Sequence, residues 1–190
     1  MFIELIILSL IIGLIRGGKI SRFKNINFKK MWLFIIAILI QYFLVSINHI
    51  EDVHLFDNIF KYLKQLIIIS YVLLFIGIII NLRYKSLWLI LAGSILNFIV
   101  LLANGWKRPV LEEGLKLVGI DTILPLYIPI LEETSLSVLG DIIIVPKPYP
   151  FPHIFSIGDI IISLGLFMLI QEIMLSDRGS VRLNYFGRNY

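Results

Sequence analysis

Five apolar segments occupy most of this 190-residue chain. Four of them are close to the length of about 20 residues that an α-helix needs to cross a lipid bilayer. The fifth, at the N-terminus, is shorter and contains Glu4. The segments are residues 1–15, 31–50, 63–82, 87–104 and 155–174. The pattern predicts an all-α polytopic transmembrane helix bundle with about five spans, of which the first is short or tilted.

The overall composition excludes two large classes of protein. Hydrophobic residues make up 58% of the chain and charged residues 16%, whereas soluble domains average about 45–50% and about 25%. So little polar surface cannot coat a water-soluble globule, and so many apolar residues do not suit a disordered chain. The chain has no cysteine, which excludes disulfides, thiolate catalysis and cysteine metal sites.

The charged residues between the apolar segments predict how the chain is threaded. Residues 16–30 contain six basic residues and no acid, the connection at 83–86 is short and basic, and the C-terminal tail is mainly basic. Basic connections lie in the cytoplasm. We therefore predict a cell-membrane protein with its N-terminus outside, a single transmembrane domain of residues 1–175, and a cytoplasmic tail of residues 176–190. The basic residues follow the first segment, which argues against a cleaved signal peptide.

Residues 105–153 then form one long, structured extracytoplasmic loop. It contains all seven prolines of the chain. Pro109 suits the first turn of a helix, and Leu111, Leu115 and Val118 recur on one face after it, so we expect an amphipathic helix on the membrane surface. Proline alternates with other residues over 146–152, which predicts extended, polyproline-like structure.

Two acidic residues are the strongest candidates for chemistry. Asp141 lies in the loop, and Asp159 opens the last apolar segment eighteen positions later. The proline-stiffened stretch between them can return the chain so that the two carboxylates face each other. Two close carboxylates cannot both ionise cheaply, so one keeps a proton. The ionised partner can take a proton from water while the protonated one polarises a scissile carbonyl.

A purely structural interpretation of both acids is also open. Ser156 and Asp159 have the spacing of a capping box at the start of a helix, where an acid also suits the helix dipole. Asp141 follows a glycine and suits an ordinary turn. Asn97 is most simply a hydrogen-bonding residue between helices, and Gly77 and Gly93 permit close helix contact.

Short motifs near both acids resemble lipoprotein signal peptidase, signal peptidase II. Residues 140–143 (Gly-Asp-Ile-Ile) and 155–159 (Phe-Ser-Ile-Gly-Asp) are similar in order to the two aspartate motifs of that family. By resemblance, Asp141 and Asp159 are the catalytic pair. Asn104 orients the substrate backbone, and Arg108 supports the site or a lipid head group. Lys107 replaces an acid of the family motif; Lys107 and Arg108 can contact lipid phosphate, and ordinary interfacial anchoring is an equally open interpretation. Ser156 stands where that family has asparagine, and the connection before Asp141 is longer.

The whole chain is more similar to an uncharacterised family of small bacterial multi-pass membrane proteins. The stretches that carry this similarity are 103–110 and 139–159. It implies a topology and a set of motifs, with no activity attached.

Our leading hypothesis is an aspartic-type membrane peptidase or hydrolase that acts on a lipid-anchored or membrane peptide at the outer leaflet. The alternative is a non-enzymatic membrane subunit, lipid-binding protein or scaffold, and a transporter comes third. We expect membrane lipid and a lipopeptide or membrane peptide as partners, no nucleic acid and no cofactor. His49, His54 and His153 show no recognisable metal-ligand spacing, so we expect no metal.

Overall fold

The computed structural model describes residues 2–48, 62–120 and 125–176, and each of the five apolar segments contains one long helix. The long helices are α1 (Phe2–Ile15), α2 (Trp32–Asn48), α3 (Leu63–Ile80), α4 (Leu87–Ala103) and α6 (Ile157–Leu175); α5 (Glu112–Val118) is short. Helices α3 and α6 are long and apolar enough to cross a membrane, whereas α1, α2 and α4 are shorter apolar helices.

Four short strands accompany the helices within the described residues, so this part of the chain is mainly helical and not all-α. They are β1 (Arg108–Val110), β2 (Tyr127–Pro129), β3 (Ile143–Val145) and β4 (His153–Phe155). Strands β1 and β2 pair in parallel, and β3 and β4 pair antiparallel. All of them lie between α4 and α6, where prolines and short apolar runs do not sustain a long helix.

Small residues let the long helices approach one another closely. A Cβ atom on Gly93 of α4 would lie 2.5 Å from the backbone oxygen of Gly158 in α6, so only glycine fits there. The two helices are antiparallel, because Gly93 contacts the start of α6 and Ser86 contacts Glu172 near its end. Helices α2 and α3 pack in the same way, with Phe34 against Gly77. The expected role of Gly77 and Gly93 in close helix contact is confirmed.

Helix α1 runs parallel to α6 and is joined to it by polar side chains. Ser9 donates through its hydroxyl to the carbonyl oxygen of Phe167 at 3.1 Å, and Gln171 donates back to the Ser9 carbonyl at 2.6 Å. One turn further along, Gly13 lies against Met174. These contacts bury Ser9 of α1 against α6.

Bulky apolar side chains point outward from every long helix. Ile7, Leu39, Ile76, Ile99 and Leu164 are all at least 41% exposed. In the most apolar stretch of α3 only 28% of the residues are buried, whereas in that of α6 50% are buried. Many exposed apolar side chains are typical of a surface that is covered by something other than water.

One end of the bundle is closed by caps on helix termini. The carboxylate of Glu172 accepts hydrogen bonds from the backbone N–H of Ser86 at 3.2 Å and from its hydroxyl at 2.7 Å, where α4 begins. Asn81 binds both backbone groups of Lys29 at the end of α3. The basic connections at 16–30 and 83–86 both lie at this end.

The segment between α4 and α6 folds back on itself at the opposite end. Pro109 lies in β1 and not at the start of a helix, and α5 begins at Glu112. The apolar face of α5 is covered by protein and does not lie on the membrane surface as expected. Leu115 is buried, and Gly114 contacts Ile144 and Ile154 of the β3–β4 hairpin.

Residues 146–152 are not an extended polyproline segment. They form the turn between β3 and β4, and the Lys147–Pro148 peptide bond is cis. Antiparallel pairing of the two strands requires a chain reversal there, and this requirement outweighs the extended preference of the prolines.

Candidate functional site

The start of α6 holds Asp159 in place. The hydroxyl of Ser156 accepts a hydrogen bond from the Asp159 backbone N–H at 3.1 Å, and the Asp159 carboxylate accepts one from the Ser156 backbone N–H at 3.2 Å. The predicted capping box is therefore confirmed. Asp159 as a whole is nevertheless only 8% exposed, whereas an ordinary helix cap faces solvent.

Asn97 of α4 joins this cap from the neighbouring helix. Its amide nitrogen donates to Asp159 Oδ1 at 2.8 Å, and its amide oxygen accepts from the Ser156 hydroxyl at 2.9 Å. Gly158 permits the contact, because a Cβ there would overlap the Asn97 side chain. The interhelical role predicted for Asn97 is confirmed, and both polar ends of its amide are used.

Backbone pairing places Asp141 beside β1. Its N–H donates to the carbonyl oxygen of Pro109 at 2.8 Å, and its own carbonyl accepts from Leu111 N–H at 3.1 Å. Gly140 is required just before it, since a Cβ there would lie 2.7 Å from the Pro109 oxygen. Asp141 is thus bridged to the edge of the small β1–β2 sheet. It does not lie in an exposed turn, and the residue is only 4% exposed.

Arg108 brings the two acids together. Its Nη1 lies 3.7 Å from Asp141 Oδ2 and 3.8 Å from Asp159 Oδ2. One carboxylate oxygen of each acid therefore lies within 4 Å of the same guanidinium nitrogen. Arg108 is held by β1, where its backbone N–H donates to the Leu126 carbonyl at 2.8 Å. The structure so brings together three of the five predicted site residues.

Burial and charge act on this cluster in opposite directions. Burial raises the pKa of Asp141 to about 6, and the Asp159 carboxylate adds to the rise, while Arg108 opposes it. Burial alone would lower the pKa of Arg108, but the two carboxylates outweigh it and hold that pKa well above its ordinary value. Near neutral pH, Asp141 can therefore exist with or without a proton beside a permanent positive charge.

Two cavities adjoin the cluster. The smaller, of about 10 Å³, is lined by Asn97, Arg108, Asp141 and Ser156 among others, and is about the smallest space that can hold one water molecule. The larger, of about 250 Å³, has an apolar wall that includes Val110, Leu115 and Ile154, with Asp141 among its polar lining residues. Asp141 lines both cavities, which places one carboxyl group between a water-sized space and an apolar cleft.

The other two predicted site residues lie away from the acids. Asn104 ends α4 and donates its amide N–H groups to the carbonyl oxygens of Val100 and Ser135, at 2.9 and 2.8 Å. Lys107 is exposed. Asn104 thus holds the start of the loop in place, and neither side chain lines either of the two cavities.

Sequence reasoning interpreted Asn97 as a hydrogen-bonding residue between helices, weighed His153 only for a metal site, and connected neither with the two acids. Asn97 lies more than one helical turn before the end of α4. The packing of α4 against α6 brings it to Asp159. His153 lines the larger cavity through the β3–β4 hairpin. His49 and His54 lie outside the described residues. Within the described ranges, no three His, Asp or Glu side chains are grouped closely enough to hold a metal ion.

Residues 25–171 match a family model described as a family of unknown function, DUF5317. The chain belongs to this family. A Thermotoga maritima protein described as "Uncharacterized protein" is 26% identical over 168 residues, which cover 88% of this chain and 89% of the relative. No solved structure matches the chain. The expected membership of an uncharacterised family is confirmed, while the resemblance to signal peptidase II stays a prediction.

The matched region includes every residue of the acidic cluster, from Asn97 in α4 to Asp159 in α6. Helix α1 lies outside it. The family match therefore covers the site, all of α2, α3 and α4, and most of α6.

Proposed function

We propose that this DUF5317 protein is a membrane-embedded aspartic hydrolase that cleaves a lipid-anchored or membrane-inserted peptide at the outer leaflet. The observation that carries the proposal is the position of Arg108 Nη1, within 4 Å of one carboxylate oxygen from each acid. Asp141 also borders the apolar cleft, which suits a substrate that arrives from the lipid phase.

The two acids have different surroundings, which assigns them different roles. Both oxygens of Asp159 accept hydrogen bonds, from Asn97 and from the Ser156 backbone, as suits an ionised carboxylate. The pKa of Asp141 is raised to about 6 by burial, so this group can carry a proton. Asp159 is therefore the proposed base and Asp141 the proposed acid.

The proposed reaction is addition of water to an amide carbonyl. Asp159 takes one proton from water as the water oxygen bonds to the carbonyl carbon, and Asp141 gives its proton to the carbonyl oxygen. Collapse of the tetrahedral intermediate breaks the C–N bond. The proton on Asp159 passes to the leaving nitrogen, and the new hydroxyl returns a proton to Asp141. Arg108 is a positioning residue that limits the charge repulsion between the acids.

The proposal requires five crossings with the 105–153 loop outside, in the cell membrane. It is supported by the alternating directions of successive helix pairs and by the basic connections gathered at the opposite end from the acids. The absence of cysteine from the sequence makes this testable. Lys107→Cys should react with an impermeant maleimide on intact cells, whereas Lys85→Cys should react only after permeabilisation. The reverse labelling pattern would remove the assigned orientation.

The catalytic test uses the full chain in liposomes with a labelled lipopeptide. We expect Asp141→Asn and Asp159→Asn each to abolish cleavage, while Glu133→Gln, which neutralises an exposed acid of the same loop, leaves it unchanged. The wild-type rate should also change with pH near the pKa of Asp141. Unchanged turnover in either folded aspartate variant would contradict the hydrolase.

A structural role is the competing proposal, and one observation favours it. Arg108 and the capping box together tie the loop, α4 and α6 into one unit, as a scaffold or membrane subunit needs. Under that proposal, wild-type protein cleaves nothing. The two aspartate variants then lower only the melting temperature.

A further inference from the structure

Tyr127 of β2 lies beside the acidic cluster and has no part in the proposed reaction so far. In the parallel β1–β2 pair its Cα partner is Arg108. Side chains of paired residues in neighbouring strands stand on the same face of a sheet, and so do residues two apart along one strand. Asp141 is bridged to Val110, two residues after Arg108, on the other edge of β1. Tyr127, Arg108 and Asp141 therefore belong to one face of this small sheet.

The same tyrosine lines the larger cavity, which has a volume of about 250 Å³. Asp141 lines it as well, together with apolar side chains that include Val110 and Leu115. The Tyr127 side chain is half-buried. Its hydroxyl has no hydrogen-bond partner among residues 2–48, 62–120 and 125–176, and it is not one of the fully enclosed polar atoms of those ranges that lack a partner. The cavity lining thus includes an accessible hydroxyl that the protein leaves unpaired.

The neighbouring polar side chains are engaged elsewhere. Arg108 lines the smaller cavity and not the larger one, and its Nη1 lies between the two acids. His153 lines the larger cavity, but its Nδ1 is 2.6 Å from the carbonyl oxygen of Phe151 and its Nε2 is enclosed by protein. Among the described side chains that line the larger cavity, a protonated Asp141 and Tyr127 are therefore the hydrogen-bond donors that a bound molecule can use.

The Tyr127 phenol keeps its proton near neutral pH. Burial raises the pKa of Tyr127 above its ordinary value, Arg108 opposes the rise, and the two carboxylates add to it. A neutral phenol can donate a hydrogen bond, whereas a phenolate can only accept one. Tyr127 therefore offers a donor in the same cavity and on the same sheet face as Asp141, the group that gives its proton to the substrate carbonyl in the proposed reaction.

We infer that Tyr127 is a further catalytic residue, whose hydroxyl donates a hydrogen bond to the carbonyl oxygen of the scissile amide. The inference rests on the proposed hydrolase and names the group that completes its oxyanion site. Asp141 transfers its proton to this oxygen while Tyr127 keeps its own, so the hydroxyl polarises the carbonyl and is not consumed. A fixed donor aimed at an oxygen whose negative charge grows in the transition state lowers the barrier more than it strengthens ground-state binding.

The test compares Tyr127→Phe with the wild-type chain in liposomes, with the labelled lipopeptide as substrate. The variant loses a hydroxyl that has no partner in the described protein, so its melting temperature should not change. We expect kcat to fall about 100-fold and KM to stay within about twofold, as for loss of one oxyanion donor. Tyr149→Phe is the matched control. It removes a tyrosine hydroxyl of the same loop, which donates to Glu4 at 2.8 Å, and should leave kcat unchanged.

Binding of two non-cleavable analogues tests the same contact without turnover. Both are the lipopeptide with its scissile amide replaced, by –CH(OH)–CH₂– in one and by –CH₂–CH₂– in the other. The hydroxyl of the first stands where the tetrahedral intermediate carries its oxygen. Wild-type protein should bind the hydroxyl analogue at least about tenfold more tightly, and Tyr127→Phe should reduce this preference about fivefold, as expected for one hydrogen bond.

Three results would overturn the inference while the hydrolase stands. The first is an unchanged kcat in folded Tyr127→Phe. The second is a raised KM with unchanged kcat, which would assign Tyr127 to ground-state binding alone. The third is equal binding of the two analogues by the wild-type protein, which needs no variant. Wild-type protein that cleaves nothing would instead contradict the hydrolase itself, and the role of Tyr127 with it.

Discussion

Asn97 and Asp159 are separated by 62 residues in the chain, yet the amide of Asn97 donates a 2.8 Å hydrogen bond to Asp159 Oδ1. The bond crosses from α4 to α6 at the point where Gly93 and Gly158 bring the helix backbones together. The orientation of one candidate catalytic group therefore depends on helix packing as well as on its own helix. This dependence leads to measurable consequences for stability and for activity.

Stability should fall as pH rises through the titration of Asp141. Its pKa is about 6 in the folded protein against 3.8 for the ordinary group, so the folded state holds the proton more tightly. The stabilisation is fully present below about pH 4 and is lost as pH rises to about 6, on the order of 3 kcal/mol in total. Asp141→Asn should flatten this slope in thermal unfolding of the detergent-solubilised protein. Glu133→Gln is the control and should keep the wild-type dependence of stability on pH. The same dependence in Asp141→Asn would contradict the assignment of this titration to Asp141.

Removing the charge of Arg108 should destabilise the protein and raise the pKa of Asp141 further. Arg108→Gln leaves two buried carboxylates without their shared cation. Because the guanidinium is partly exposed, we expect a loss below the about 3–5 kcal/mol typical of fully buried pairs. The pH window of the Asp141 titration should move upward, since Arg108 is the group that opposes the rise.

Lys107→Gln is the matched control for this change. It removes the same charge from the neighbouring, exposed position. Its effect should stay within about 0.5 kcal/mol, as for most surface substitutions. Equal losses in the two variants would mean that the Arg108 contacts contribute nothing specific.

Gly158→Ala should be far more damaging than Gly77→Ala. A methyl group at Gly158 overlaps the Asn97 amide and approaches the backbone oxygen of Gly93 at 2.9 Å, so α4 and α6 must separate. Such overpacking costs about 1–3 kcal/mol, and the displaced Asn97 should also lower the rate of cleavage. At Gly77 the nearest atoms belong to the Phe34 ring at 3.3 Å, which can shift. Comparable unfolding temperatures for the two variants would contradict this view of the α4–α6 contact.

Glu172 offers a carboxylate with a capping role. It caps the start of α4 through Ser86, at the far end of α6 from Asp159. Glu172→Gln should cost about 1 kcal/mol, as expected for loss of a helix cap, and should leave lipopeptide cleavage unchanged. Loss of cleavage in a folded Glu172→Gln sample would mean that stability, not chemistry, controls the activity.

Part of the site could be predicted because its signals are local. The capping box between Ser156 and Asp159 depends on residues three positions apart at the start of one helix, and the sequence predicts it correctly. The acids Asp141 and Asp159 stand out because they border long apolar segments. The roles of Asn104 and Asn97 could not be ranked in this way, since each is a single polar residue in or beside the same helix.

The loop illustrates a competition that sequence patterns do not resolve. Pro109 suits both a helix start and an edge strand, and Tyr127–Pro129 supplies the neighbour that makes it a strand. The prolines at 146–152 favour extended structure locally, but pairing of Ile143–Val145 with His153–Phe155 requires a turn. Pairing with a distant segment decides both cases.

The amino-acid sequence alone determined where the long helices form, because apolar length and the absence of internal prolines act within each segment. It also determined which end carries most of the positive charge. Only the tertiary structure decided that Arg108 stands between Asp141 and Asp159, that Asn97 holds the second acid, and that His153 lies on an apolar cleft. These relations depend on helix contacts and strand pairs between residues far apart in the chain, and no local preference encodes them.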